Sequence, residues 1–197
     1  MSKAVITPVW VRLTHWINAG AVVLMVMSGE QVYDASPIFP ALQFPANLTL
    51  GNWLGGALLW HFAVAWLLLL NFLTYLALNS VSGRLRRKLM SLDVRSLVSD
   101  FAAAITGKLR HDDLANYNAV QKAAYLLAIA DIALLILSGL AVWKPIQLSL
   151  LCDLLGGYDT ARRIHFIAMS VMVGFFALHV VMVVLVPRSL LLITRGR

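Results

Sequence analysis

Four long apolar stretches punctuate the chain, at about 10–29, 51–78, 120–143 and 164–186. Each is long enough to cross ~30 Å of hydrocarbon at about 1.5 Å per residue, so each predicts a membrane-spanning helix. The first reads as a true span. A signal peptide has a shorter apolar core and a small-residue cleavage site, whereas Glu30 and Gln31 follow here. The segments between the spans differ in character. Residues 31–50 hold no Lys or Arg and contain Pro37, Pro40 and Pro45, which predicts a rigid, apolar outer loop. Residues 79–119 are basic, and within them Val94, Leu97, Phe101 and Ile105 recur at helical spacing, which predicts a stretch lying flat on the membrane. Residues 144–163 form a second outer loop, broken at Gly156 and Gly157. No internal repeat is visible. The expected architecture is an all-α membrane protein, one four-transmembrane-helix bundle over residues 1–197.

Composition closes off the other classes. The chain has 197 residues, 60% hydrophobic and only 13% charged. A soluble domain keeps roughly a quarter of its residues charged, so this one has too little polar surface to cover itself. Cys152 is the single cysteine, which excludes a disulfide scaffold. The net charge of +7 could suggest nucleic acid, but position argues otherwise. Of the 16 Lys and Arg, all but Lys144, Arg162 and Arg163 lie near the termini or between Arg84 and Lys122. That asymmetry predicts a membrane protein with both termini cytoplasmic. The basic residues then meet anionic lipid rather than nucleic acid.

Four of the five histidines fall inside the spans: His15 in the first, His61 in the second, His165 and His179 in the fourth. A lone intramembrane His is most simply an interhelical hydrogen bond, but four in three spans point to function. His165 and His179 are 14 residues apart, within about 40° of four full helical turns, so they face the same way about 21 Å apart along the axis. Counting rise from the inner ends places His61 and His165 about 26 and 31 Å up, and His15 and His179 about 7 and 10 Å up. The expected pairs are therefore His61 with His165 at the outer level and His15 with His179 at the inner level. Imidazoles on facing helices suit two six-coordinate b-type haems. Zinc would need more ligands at one level. With both axial positions taken, the expected role is electron transfer.

The runs RLTHWINA (12–19), WHF (60–62), RRIHF (162–166) and ALHVVMV (177–183) resemble the four-helix cytochrome b561-type membrane subunits. These include the formate dehydrogenase gamma and nickel-iron hydrogenase cytochrome b subunits. NAVQKAAY (118–125) and ITRGR (193–197) are similar to the thiosulfate reductase cytochrome b branch, which is often paired with a periplasmic molybdopterin oxidoreductase. The resemblance implies two haems b, a quinone site and an extracytoplasmic redox partner, with His15, His61, His165 and His179 as iron ligands.

Around these positions, Arg12, Arg162 and Arg163 are candidates for haem propionates, since guanidinium groups pair with carboxylates. Their plainer role is interfacial anchoring. Tyr117, Asn118, Gln121 and Lys122, at the inner end of the third span, are candidates for quinone carbonyls, with helix capping as the plainer reading. Gly20, Gly55, Gly56, Gly139 and Gly174 give room for porphyrin faces or for close helix packing. Asp131 is expected to be a protonated carboxyl bonded to a neighbouring helix backbone, with a proton relay or a hydrogen bond to a ligand His as the functional alternatives. His111 and Cys152 are expected to have no role in the site. The expected function is that of a multi-pass, dihaem b-type cytochrome of the bacterial inner membrane, moving electrons between the quinone pool and a periplasmic redox protein of the molybdopterin class. That partner should dock on an exposed apolar loop around Ile38, Phe39 and Phe44. The alternative is a self-contained superoxide:quinone oxidoreductase, with Arg162, Arg163 and Lys144 forming a cationic funnel. A transporter with histidine proton relays is disfavoured by the absence of inverted repeats.

Overall fold

The computed structural model describes residues 6–91, 93–106 and 117–196. The described residues are helical, without strands, and four helices are long and apolar enough to span a membrane. These are α1 (Val9–Asp34), α2 (Leu54–Val81), α4 (Ala119–Trp143) and α6 (Tyr158–Leu185). Among the described residues, three further α-helices are α3 (Val94–Ile105), α5 (Ser149–Leu154) and α7 (Arg188–Thr194), and Leu85–Leu89 forms a short π-helix. Inner denotes the end that carries both termini and the basic segment.

The spans match the four apolar stretches, with two extensions. α1 continues through Glu30 and Gln31 to Asp34, because those polar groups find partners at the outer end. Thr49 Oγ1 donates to Gln31 Oε1 at 2.8 Å, and Asp34 accepts from the Phe44 backbone N–H at 3.1 Å. α6 begins at Tyr158, immediately after Gly156 and Gly157, whose positive φ angles of 82° and 88° turn the chain off α5. The amphipathic stretch in the basic segment is helix α3, with Val94, Val98 and Phe101 exposed. Asp100 of α3 accepts from the Ala119 N–H at 2.9 Å and so helps cap α4.

Among the spanning helices, backbones approach closely within two antiparallel hairpins, α1 with α2 and α4 with α6. Fully buried Ala57 and Ala161 permit this approach. Asn71 locks the first hairpin by donating to the Thr14 carbonyl at 2.9 Å and to Asn18 Oδ1 at 2.6 Å. Between the hairpins contact is made by side chains, chiefly a mid-membrane cluster of Phe72, Ile132 and Met172 with Val22 and Phe175.

A set of outer positions repeats between the two hairpins, which the expectation of no internal repeat did not include. Ser28-Gly29 in α1 recurs 110 positions later as Ser138-Gly139 in α4 (28 to 138), and His61 in α2 recurs 104 positions later as His165 in α6 (61 to 165). The same offsets relate Ala57 to Ala161, Phe62 to Phe166 and Tyr33 to Trp143. The contacts repeat too. Tyr33 stacks on Phe166 at 4.7 Å, and its counterpart Trp143 packs on Phe62 at 4.9 Å. Swapping hairpins while preserving helix direction corresponds to an approximate twofold rotation about the membrane normal, which would exchange His61 with His165. The repeat escapes a sequence reading because few side chains are identical; spacing and depth carry it.

Gly51, at φ 111°, turns the chain into α2, and a Cβ there would collide with the backbone nitrogen of Ala57. Gly51→Ala is expected to destabilise the protein by about 2 kcal/mol, read as a lower midpoint of thermal unfolding in detergent. Gly20→Ala, which meets nothing within 4 Å, should leave that midpoint unchanged or raise it.

Candidate haem sites

At the outer level His61 and His165 face one another across the gap between hairpins, with ring centres 6.4 Å apart and planes at 75°. Each ring is held from behind in the same way. Ser28 Oγ lies 3.0 Å from His61 Nδ1, and Ser138 Oγ lies 2.9 Å from His165 Nδ1. Each serine donates its own hydrogen to the helix carbonyl four residues back, Leu24 at 2.7 Å and Leu134 at 2.6 Å. A hydroxyl has one hydrogen, so towards the histidine it can only accept. With its hydrogen on the backbone carbonyl, each serine would accept from a protonated Nδ1 and leave the Nε2 lone pair free. Gly29 and Gly139 make room for the rings: a Cβ would come to 3.3 Å from His61 Cε1 and 3.1 Å from His165 Cε1.

At the inner level the ring centres of His15 and His179 are 6.0 Å apart. Phe175 lies parallel to His179 at 5.9 Å, and Trp16 meets His15 edge-on at 5.4 Å. No hydrogen bond reaches either ring from the described residues.

Both separations suit a shared ion. An imidazole nitrogen binds a transition metal at about 2 Å, and the ring centre lies about 1 Å behind it, so two rings on one ion stand about 6 Å apart. Among the described residues no third His, Cys, Asp or Glu joins either pair. An ion held there must bring its other ligands, as haem iron does. The outer pair also lines a cavity of about 390 Å³ between the hairpins, walled by Phe62, Trp143 and Phe166. This is the size of a small-molecule site.

The family model for prokaryotic cytochrome b561 matches residues 6–194. The chain belongs to the prokaryotic cytochrome b561 family. As a member it is a haem b protein and a multi-pass protein of the bacterial inner membrane. It is also 55% identical, over the full length of both chains, to a putative protein-methionine-sulfoxide reductase subunit, YedZ1, of Azospira oryzae. That similarity corrects the expected function. A relative at this identity is named a putative subunit of a protein-methionine-sulfoxide reductase, not of a thiosulfate reductase. Its being a subunit likewise displaces the self-contained superoxide:quinone oxidoreductase. The physical reason for the miss is that b561 modules share the histidine frame whatever enzyme they serve, so the frame does not encode the partner.

The other candidates fall in different places. Arg162 lines the outer cavity, whereas Arg163 is exposed and outside its lining. Arg12 Nη1 donates to the Thr194 carbonyl at 2.8 Å and Trp16 Nε1 to the Ile193 carbonyl at 3.2 Å, so both tie the end of α7 over the start of α1. Arg12 Nε is buried without a partner among the described residues. Asn118 and Gln121 form a reciprocal capping box on α4, with Gln121 N–H to Asn118 Oδ1 at 2.8 Å and Asn118 N–H to Gln121 Oε1 at 3.2 Å. Lys122 Nζ donates to the carbonyl and hydroxyl of Ser91, both at 3.1 Å. Tyr117 packs edge-on against Tyr125 at 5.0 Å. One carboxyl oxygen of Asp131 is buried without a partner among the described residues. Cys152 is buried against Ala141 and Ala161, and His111 lies outside the described residues.

The outer loop differs from expectation. Ile38 lines the cavity and Phe44 packs on Tyr33 at 5.6 Å, leaving Phe39 the exposed member of the three. An apolar loop above an apolar cavity buries more surface by closing over it than by facing water. The sequence reading missed Ser28, Gly29 and Ser138; the signal was the repeated Ser-Gly at matching depth in the first and third spans.

Arg12→Ala should free α7. Tryptic cleavage at Arg188 and Arg195 is expected to accelerate about tenfold, the equivalent of one charge-assisted hydrogen bond, as followed by mass spectrometry of membrane vesicles.

Proposed function

We propose that the chain is the membrane electron-transfer subunit of a protein-methionine-sulfoxide reductase system, holding two b haems, one between His61 and His165 and one between His15 and His179. The observation that carries the reading is the pair of imidazole separations, 6.4 and 6.0 Å, each the span of one iron with two axial nitrogens. The full-length similarity to YedZ1 supplies the class of enzyme served.

When bound, haem b supplies one-electron chemistry at iron. The chain's own residues do the rest. His61 with His165, and His15 with His179, would hold the iron of each haem from two helices, a donor set suited to electron transfer. Phe62, Trp143 and Phe166 exclude water around the outer pair. Arg162 offers a guanidinium to a propionate from the cavity lining. The reductase partner meets the outer face, over the loop that closes the His61–His165 cavity. A lipid-soluble quinol is the electron donor, and among the residues considered for it Tyr117, beside Tyr125, keeps a phenol that makes no hydrogen bond to the described residues.

A pyridine haemochrome assay on purified protein should find two haems b per chain. His61→Ala or His165→Ala should remove one, and His15→Ala or His179→Ala the other. One haem or none in the unaltered protein would defeat the two-site reading. The partner class is tested separately. In membranes with the cognate reductase, the reduced haem bands should be reoxidised by a protein carrying methionine sulfoxide and not by thiosulfate. Reoxidation by thiosulfate alone would reverse the assignment.

A further inference from the structure

The internal duplication treats the two histidine pairs differently. His61 and His165 occupy corresponding positions in the two hairpins, so one rotation exchanges them and everything behind them: Ser28 with Ser138, Gly29 with Gly139, Leu24 with Leu134. His15 and His179 do not correspond. Applying the same offsets to them leads to Tyr125 and Tyr75 (15 to 125; 179 to 75). The outer site is thus a matched pair of half-sites, and the inner site is built once, on one side.

We propose that Ser28 and Ser138 are positioning residues that set the reduction potential of the outer haem, acting equally and from opposite sides through His61 and His165. The proposal rests on the haem reading above. Three observations carry it. First, each serine is fully buried, with 0% exposure, so water cannot take its place beside the imidazole. Second, each hydroxyl hydrogen is already given to the helix backbone, which leaves an oxygen lone pair aimed at Nδ1. An imidazole that gives its Nδ1 hydrogen to such an acceptor becomes a more basic ligand at Nε2, and a more basic ligand favours ferric over ferrous iron. Third, the inner rings have no such acceptor among the described residues, so the effect belongs to one haem. His61 and His165 also have backbone partners, Met25 and Leu135 respectively. Removing a serine therefore weakens the acceptor without abolishing it.

The test uses the full chain, haem-loaded, in nanodiscs. The outer haem's wave in a redox titration is identified as the one lost in His61→Ala. Ser28→Ala and Ser138→Ala should each retain both haems and raise the midpoint of that wave by similar amounts. The double variant should raise it about twice as far, because the two serines act on one iron through separate ligands, and the other wave should stay put. Ser28→Cys and Ser138→Cys, nearly isosteric but poor acceptors, should shift the same wave upward, and Ser28→Thr and Ser138→Thr should restore it. The outer haem's low-spin electron paramagnetic resonance signal should move with the midpoint in each case. Unmoved midpoints in all Ala and Cys variants would overturn the proposal. So would equal movement of both waves, or Thr variants that behave like Ala. Failure of the haem reading would look different: no second wave in the unaltered protein, or no wave lost in His61→Ala.

Discussion

A serine hydroxyl has one hydrogen to give, and in both halves of this bundle it goes to the helix's own backbone. In hydrocarbon no water can revise that choice. The consequence runs outward from two atoms. The hydroxyl can then serve as an acceptor for a proton on the neighbouring Nδ1, which would leave the Nε2 lone pair free. The tautomer at each imidazole is thus tied to a backbone hydrogen bond on the neighbouring helix. The glycine beside each serine completes the arrangement by leaving space where a methyl group would press on the ring.

Ring separation is a second constraint, and the packing satisfies it by being uneven. Helices pack tightly in two hairpins, on small residues such as Ala57 and Ala161. Between hairpins they stand further apart and meet through large side chains. A uniformly packed four-helix bundle would close the space between facing imidazoles. Here the aromatic pairs Tyr33 with Phe166 and Trp143 with Phe62 hold the hairpins apart around the outer histidines. The mid-membrane cluster on Phe72, Ile132 and Met172 does the same between the two levels. It also separates the levels with apolar contacts alone. The ends are tied with polar ones: Arg12 and Trp16 hold α7 at the inner end, and Tyr33 and Asp34 hold the loop at the outer end. Tyr33 accepts from the Phe39 N–H at 2.9 Å.

Membrane location, the four spans, the four histidines and their two levels were legible in the chain, because each depends on one helix at a time. Hydropathy reports whether a segment can cross a bilayer, and a constant rise per residue turns sequence number into depth. The 14-residue interval from His165 to His179 needs no neighbour to be interpreted. What the tertiary structure decided is lateral: which helix stands beside which, and what lies behind a ring. Ser28 and Ser138 look like ordinary small residues of a membrane helix until α2 and α6 bring His61 and His165 against them. Asn118, Gln121 and Lys122 read equally as ligand groups or helix cap until their partners are seen, because the same polar atoms serve both uses. Ile38 and Phe44 read as exposed because a loop's hydrophobicity does not say whether a cavity lies beneath it. The duplication was hidden for the same reason. Rise per residue is a property of the single chain, whereas the twofold relation between hairpins exists only once both have packed.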